Sequence, residues 1–276
     1  HTLTYNATTK KYEATVTAPS TSSYNQNGHY YNVQIKATDE AGNSVSKDAT
    51  DTTLGSSLKL RVKEKVAPVI SITAPSSSAK LTNNKPVIKW TVTDSDSGVD
   101  PSTIKLIIDS QTITTGITKT ASGKNYTCSY TPTTALSDGS HTIKISASDY
   151  DGNAAAQKSI TFTVDTVPPE LSVTAPIDNL VTNQASIEVK GTTNDVTSSP
   201  VTLTIKLNNG TAQTVEVGSD GSFSKTLTLV SGENTIVITA TDGAGKTSTV
   251  TKQVELDQTA PVIQSVTITP NPVNAG

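Results

Sequence analysis

One phrase of thirteen residues occurs three times in this chain, as Tyr31 to Asn43 (YNVQIKATDEAGN), His141 to Asn153 (HTIKISASDYDGN) and Asn234 to Lys246 (NTIVITATDGAGK). Self-similarity at a fixed spacing constrains a fold more than any single motif, because each copy must be the same element of a repeated unit. A second phrase lies upstream of the later copies. Ala67 to Pro75 (APVISITAP) matches Pro168 to Pro176 (PPELSVTAP), and its opening returns at Ala260-Pro261-Val262-Ile263. Pro68, Pro169 and Pro261 therefore mark three starts, 101 and 92 positions apart. That period is the length of a seven-stranded antiparallel sandwich, and too long for a propeller blade or a helical repeat.

The spacing divides the chain into 1–65, 66–165, 166–257 and 258–276. The middle two are complete units. Residues 1–65 align with the second half of a unit only, Lys11 to Val16 corresponding to Asn125 to Tyr130. Residues 258–276 supply one opening strand, Val262 to Thr269, before Pro270-Asn271-Pro272. The chain reads as a window on a longer tandem array.

Inside the units, apolar residues alternate with polar ones at the period of two that a half-buried strand requires. Ile88, Trp90 and Val92 share a face, as do Ile104, Leu106 and Ile108; Tyr126, Cys128 and Tyr130; Ile143, Ile145 and Ala147; and Ile160, Phe162 and Val164. The next unit repeats the scheme with Ile187 and Val189; Leu203, Ile205 and Leu207; Phe223 and Leu227; and Ile236, Ile238 and Ala240. Asn209-Gly210, Asp220-Gly221, Asp138-Gly139 and Ser231-Gly232 place glycine where hairpins need positive φ. Trp90 shares its face with Ile88 and Val92, which makes it a core anchor rather than a sugar-stacking surface. The chain is expected to be all-β.

These residues resemble tandem bacterial Ig-like domains, as found in surface proteins, adhesins and prophage tail proteins of Gram-positive bacteria. The Thr-Ala-Pro and Val-Pro-Pro openings at Thr259 and Val167, preceded by Asp257 and Asp165, carry the likeness, with the Ala-Thr-Asp-x-Ala-Gly loops at Asp39 and Asp242. The resemblance implies tandem Ig-like antiparallel β-sandwiches arranged end to end. It implies a partial domain over 1–65, whole domains over 66–165 and 166–257, and the first strand of another over 258–276. It also implies an extracellular place, on a bacterial surface or secreted, with a virion as the alternative.

Composition narrows function by exclusion. A net charge of −3 without Lys/Arg clusters offers no electrostatic footprint for nucleic acid. No apolar run approaches the roughly 18–20 residues of a membrane span, and the first 30 residues lack the pattern of a signal peptide. Cys128 stands alone and forms no internal disulfide. The three histidines share no metal-ligand spacing, and no nucleophile elbow, phosphate loop or zinc-protease motif is present. The expectation is a non-enzymatic spacer, monomeric, that presents a distal domain and whose partners are neighbouring Ig-like domains of the same chain. An adhesive module that binds a glycan or surface protein through its loops is the alternative, with Tyr24, Tyr30 and Tyr31 as the local aromatic concentration.

No cofactor is required by this reading, but related arrays stiffen their junctions with calcium, which takes several oxygen ligands from carboxylates and carbonyls. Asp165 and Asp257 stand before the Pro-containing linkers, and Asp149, Asp151 and Asp242 stand in the loops between the last two strands. These five are the candidate calcium ligands, set between domains. The loop acids have a second reading, because Asp followed by Gly-Asn also caps a tight turn. Asp94 to Asp100 (DSDSGVD) only superficially resembles the start of an EF-hand and reads as a solvated loop. The last strands hold no Asn for an isopeptide cross-link, and His141 reads as structural.

Overall fold

The computed structural model describes residues 1–269, and the expectation for Pro270 to Gly276, as the end of a segment opening a further domain, lies outside the described residues. The described chain forms two compact units that divide between Val164 and Asp165.

The alternating runs of the first unit become two facing sheets. One has four strands in the order Thr118–Ser122, Asn125–Tyr130, Ile88–Thr93, Val69–Ala74. The other has five, in the order Gln111–Ile113, Val99–Ile108, Gly139–Asp149, Lys158–Val164, Lys80–Leu81. All pairs are antiparallel except the last, where Lys80–Leu81 runs parallel to Lys158–Val164. The opening segment thus contributes to both sheets, pairing first with Ile88–Thr93 and then with the closing strand. The face read from the sequence is the core: Ile88, Trp90, Val92, Leu106, Ile143, Ile145 and Val164 are fully enclosed, with Cys128 and Phe162 nearly so.

The second unit repeats the architecture. Glu170–Ala175, Ser186–Asn194 and Ser222–Thr228 form one sheet. Leu180–Thr182, Thr247–Leu256, Gly232–Thr241, Thr202–Leu207 and Gln213–Val215 form the other, again with the short first strand parallel to the last. Even the irregularity is repeated, since a register shift between Ile72 and Ala74 returns between Val173 and Ala175.

Equal registers expose one exchange between the cores. In the first sandwich the row Ile72, Trp90, Cys128 crosses three strands. In the second the corresponding row is Val173, Gly191, Phe223. The large ring sits on the middle strand in one unit and on its neighbour in the other. Gly191 has no room for a side chain, because a Cβ there would lie 2.0 Å from the Ser172 carbonyl oxygen and 2.9 Å from Cζ of Phe223.

Residues 1–65 belong to the first unit and build no sandwich of their own. Thr4–Asn6 pairs with Lys11–Glu13, Tyr31–Asn32 with Lys59–Leu60, and Ile35–Thr38 with Ser44–Lys47. The repeated phrase that forms one long strand in each sandwich is here broken in two. No second sheet covers it, and Ile35 and Val45 stay exposed. Its anchor is Ser23, whose Oγ accepts from Val62 N–H and has the carbonyls of His29 and Val62 within reach of its single proton. The strand expected over Val262 to Thr269 is absent. A strand is defined by its ladder, and these residues pair with no neighbour and leave Val262, Ile263, Val266 and Ile268 exposed.

Candidate metal centre

Each sandwich gathers three carboxylates at one end. In the first unit they are Glu64, Asp94 and Asp149; in the second, Asp165, Asp195 and Asp242, and within each trio one oxygen from every residue lies within 4.8 Å of the others. Their positions follow the repeat. Glu64 and Asp165 are 101 apart, as are Asp94 and Asp195, while Asp149 and Asp242 are 93 apart. In both units one acid precedes the opening strand, one follows the third strand, and one stands at the end of the long strand of the thirteen-residue repeat, as its last residue at Asp149 and the next residue at Asp242. Chain topology, not local sequence, brings them together.

A serine accompanies each trio with the same 101 spacing, Ser97 and Ser198. Both are buried and both hydroxyl oxygens lack a hydrogen-bond partner. Ser198 is tied into the second trio by its backbone, donating N–H to Oδ1 of Asp195 at 2.5 Å and accepting from Gly243 N–H at 2.7 Å. Ser97 N–H donates to Oε1 of Glu64 at 2.6 Å.

The turn reading of the loop acids also holds, on the same side chains. Asp149 Oδ1 accepts from Asn153 N–H, and Asp242 Oδ1 accepts from the N–H groups of Ala244 and Lys246. The other oxygens part company. Asp149 Oδ2 accepts from Nδ2 of Asn153 at 2.7 Å, whereas Asp242 Oδ2 is buried without a partner. Asp165 repeats this state: Oδ1 accepts from Val167 N–H and Oδ2 is buried and unpartnered. Asp165 is fully enclosed, with Asp242 at 5% and Asp195 at 8% exposure.

Of the five acids expected to bind calcium, the structure brings Asp165 and Asp242 into one trio and places Asp149 in the other. Asp151 and Asp257 belong to neither. Asp151 is spent on a protein contact, its Oδ2 accepting Glu64 N–H at 3.0 Å. Asp257 is exposed and accepts Thr259 N–H. In each trio one acid, Glu64 or Asp165, stands in the segment ahead of the opening strand, and the other two belong to the sandwich that follows. Sequence reasoning missed Glu64, Asp94 and Asp195, and misread the loop from Asp94 to Asp100 as solvated. Asp94 is in fact buried, with Oδ1 accepting from the N–H groups of Asp96 and Gly98. Asp96 accepts from Ser22 N–H and Asn25 Nδ2, docking the 1–65 segment.

The donor set fits a hard cation. The carboxylates supply only oxygen, with no imidazole or thiolate among the three to draw a softer metal. Buried carboxylate oxygens without hydrogen bonds are costly unless something positive meets them. No ion pair given for the described residues involves either trio.

The other expected positions have structural partners. His141 is buried at 5% exposure; its Nε2 donates to the Ser137 carbonyl at 2.8 Å and its Nδ1 lies 2.9 Å from Asp109 Oδ2. Partial burial alone raises the Asp109 pKa, but hydrogen bonds from His141 and Thr142 N–H outweigh it and hold the carboxyl below its ordinary value. The second sandwich has Asn208 and Asn234 here, Nδ2 to Oδ1 at 3.2 Å. Tyr24 is stacked between His29 and Tyr150, at 4.1 and 4.2 Å between ring centres, and Tyr30 lies under the Lys59 ammonium. The tyrosines thus serve internal contacts.

Comparison with known proteins follows the same boundaries. Residues 65–166 match the bacterial Ig-like domain family. Residues 169–258 match the family of glucodextranase domain B. Both units are therefore Ig-like sandwiches, the all-β tandem class read from the sequence. Bacillopeptidase F of Bacillus subtilis (strain 168) is 33% identical over 131 residues, which is 48% of this chain and 9% of that protein. Among solved structures, the fibronectin(III)-like modules of Clostridium thermocellum CbhA align at 17% identity over 68% of this chain and 94% of theirs, with a TM-score of 0.40. The titin fragment I67-I69 aligns at 13% identity over 70% of this chain and 66% of its own, with a TM-score of 0.42.

Proposed function

We infer that this chain is a non-enzymatic spacer in a multidomain extracellular protein, where its Ig-like sandwiches hold a distal domain away from its anchor. The observation that carries this reading is what the two sandwiches share. Register, bulge, sheet order and acid trio recur in both. The outward chemistry does not: Tyr150-Asp151 of one loop is Gly243-Ala244 in the other, and Asp109 with His141 is Asn208 with Asn234. A recognition array would repeat its recognising side chains, whereas a spacer need repeat only its frame. Bacterial Ig-like domains occur in multidomain proteins, and the match to a small part of a longer relative agrees with that use.

An adhesive role would have to use a surface such as the open groove of about 650 Å³ lined by Asp109, Gln111, Ile113, Tyr130, Pro132 and Leu136. The test is co-sedimentation of the purified chain with whole bacterial cells and isolated cell-wall glycan. A spacer stays in the supernatant at high micromolar concentration. Saturable pelleting that a groove substitution such as Gln111→Ala weakens replaces this reading with the adhesive one.

A further inference from the structure

Calcium is the ion that the resemblance implies for such arrays, and we propose that of the two acid trios the second binds it the more tightly, because Lys246 stands where the first has Asn153. This inference concerns the sandwiches themselves and stands whether or not the chain serves as a spacer. Three observations carry it. The trio recurs at the spacing of the repeat, so one arrangement has been built twice from different local sequences. A buried serine hydroxyl without a partner recurs with it, at Ser97 and Ser198. In the second site two carboxylate oxygens, Asp165 Oδ2 and Asp242 Oδ2, are also buried without any partner. In that second site three enclosed carboxylates crowd negative charge, and none of the ion pairs among the described residues involves them. Calcium suits the set better than magnesium. It tolerates several carboxylates in irregular geometry, whereas magnesium demands a near-ideal octahedron and keeps its waters.

The asymmetry comes from competition for the same lone pairs. In the first site Asn153 donates its backbone N–H to Asp149 Oδ1 and its Nδ2 to Oδ2, at 2.8 and 2.7 Å. Glu64 Oε1 and Asp94 Oδ1 are engaged by backbone N–H groups as well, and no carboxylate oxygen of this trio is fully buried without a partner. A cation entering must share or displace these donors. In the second site the residue four places after the acid is Lys246, which supplies a backbone N–H to Asp242 Oδ1 but no side-chain donor to Oδ2. That oxygen is left for the ion. Asp39 and Asn43 repeat the capped state in the first segment, with Nδ2 at 3.0 Å from Oδ2, and no other acid joins them in a trio.

Occupancy also fixes the fold. Asp165, Asp195 and Asp242 lie on three segments that the unfolded chain does not hold together, so an ion bound to all three stabilises the folded unit by mass action.

The experiment is calorimetric titration of the full chain, stripped with EDTA, against calcium chloride, with magnesium chloride as the comparison and thermal unfolding as a second readout. The expected result is two binding events of unequal affinity and a rise in unfolding temperature that EDTA reverses. Asp195→Asn should remove the tighter event. If that variant does not fold, Lys246→Asn keeps the proposal testable. It copies the cap of the first site and should weaken the tighter event about tenfold, the cost of displacing one charge-assisted hydrogen bond. Losing the lysine charge alone would strengthen cation binding, so weakening reports the cap. Asn153→Lys should tighten the weaker event. Absence of heat and of any thermal shift up to about 10 mM calcium, beyond the range of extracellular modules, overturns the sites. Equal affinities, or no change with Lys246→Asn, overturns the asymmetry.

Discussion

The two sandwiches solve one packing problem in opposite ways. The first fills the centre with Trp90 on the middle strand and keeps its neighbour small with Cys128; the second leaves the middle strand bare at Gly191 and fills the space with Phe223 from the adjacent strand. Neither solution is free of cost. Trp90 Nε1 is buried without an acceptor, a penalty of about 1–3 kcal/mol for an unmet donor. Gly191 gives up side-chain packing and strand propensity, by about 0.5–1 kcal/mol relative to alanine. The comparison teaches that the frame fixes a volume to be filled, and either of two adjacent strands can fill it.

The largest effect that would test this is Trp90→Ala, expected to cost the first sandwich about 3–5 kcal/mol in scanning calorimetry and to leave the second unit's transition in place. Trp90→Gly combined with Cys128→Phe imports the second unit's solution and should recover part of that loss. No recovery would show that the two cores are not interchangeable. Gly191→Ala is expected to cost the second sandwich about 3 kcal/mol, since a backbone carbonyl stands where the methyl must go. The chain has one tryptophan, which lies in the first unit, so its fluorescence transition should not move while the circular-dichroism transition of the second unit does.

A smaller difference lies in acid. Because the Asp109 carboxyl is held below its ordinary value when folded, its contribution to the first sandwich is complete above about pH 4 and is lost as pH falls through the folded value. Asn208 and Asn234 do not titrate, so the second sandwich lacks this term. Asp109 is half-exposed, and solvent screening keeps the effect under about 1 kcal/mol. Asp109→Asn should flatten the acid limb of the first transition only. Smallest in energy is the Cys128 thiol, which burial raises to about 11 and Lys119 lowers slightly. It should resist thiol reagents at neutral pH until the first sandwich unfolds, whereas rapid labelling of the native chain would contradict its enclosure.

Much of this fold was legible because strands announce themselves by alternation. Ile88, Trp90 and Val92, or Ile236, Ile238 and Ala240, show their inward face within a few residues. The acid trios were not legible in that way. Asp94 and Asp149 meet across 55 positions because two loops close the same end of a sandwich, and no local pattern records the meeting. A signal did exist in the repeat itself, since aligning the units at 101 residues puts Asp94 over Asp195 and Ser97 over Ser198. The segment 1–65 shows where alternation stops being informative. Its repeated phrase has the apolar rhythm of a core strand, but rhythm becomes burial only when a second sheet covers it. With Leu3, Tyr5, Tyr12, Val16, Ile35 and Val45 exposed, it should be the first region cut in limited proteolysis, leaving material that begins near Val66.

In both sandwiches the opening segment lies parallel to the closing strand, over two residues at Lys80–Leu81 and three at Leu180–Thr182. Tension applied through the ends of such a unit pulls these two strands past one another, so their bridging hydrogen bonds bear the load side by side instead of opening in turn like a zipper. The patch is small, yet everything behind it is shielded until it fails. With one more residue in register, the second sandwich should outlast the first in a single-molecule pull, making the first the element that lengthens before the chain breaks its hold.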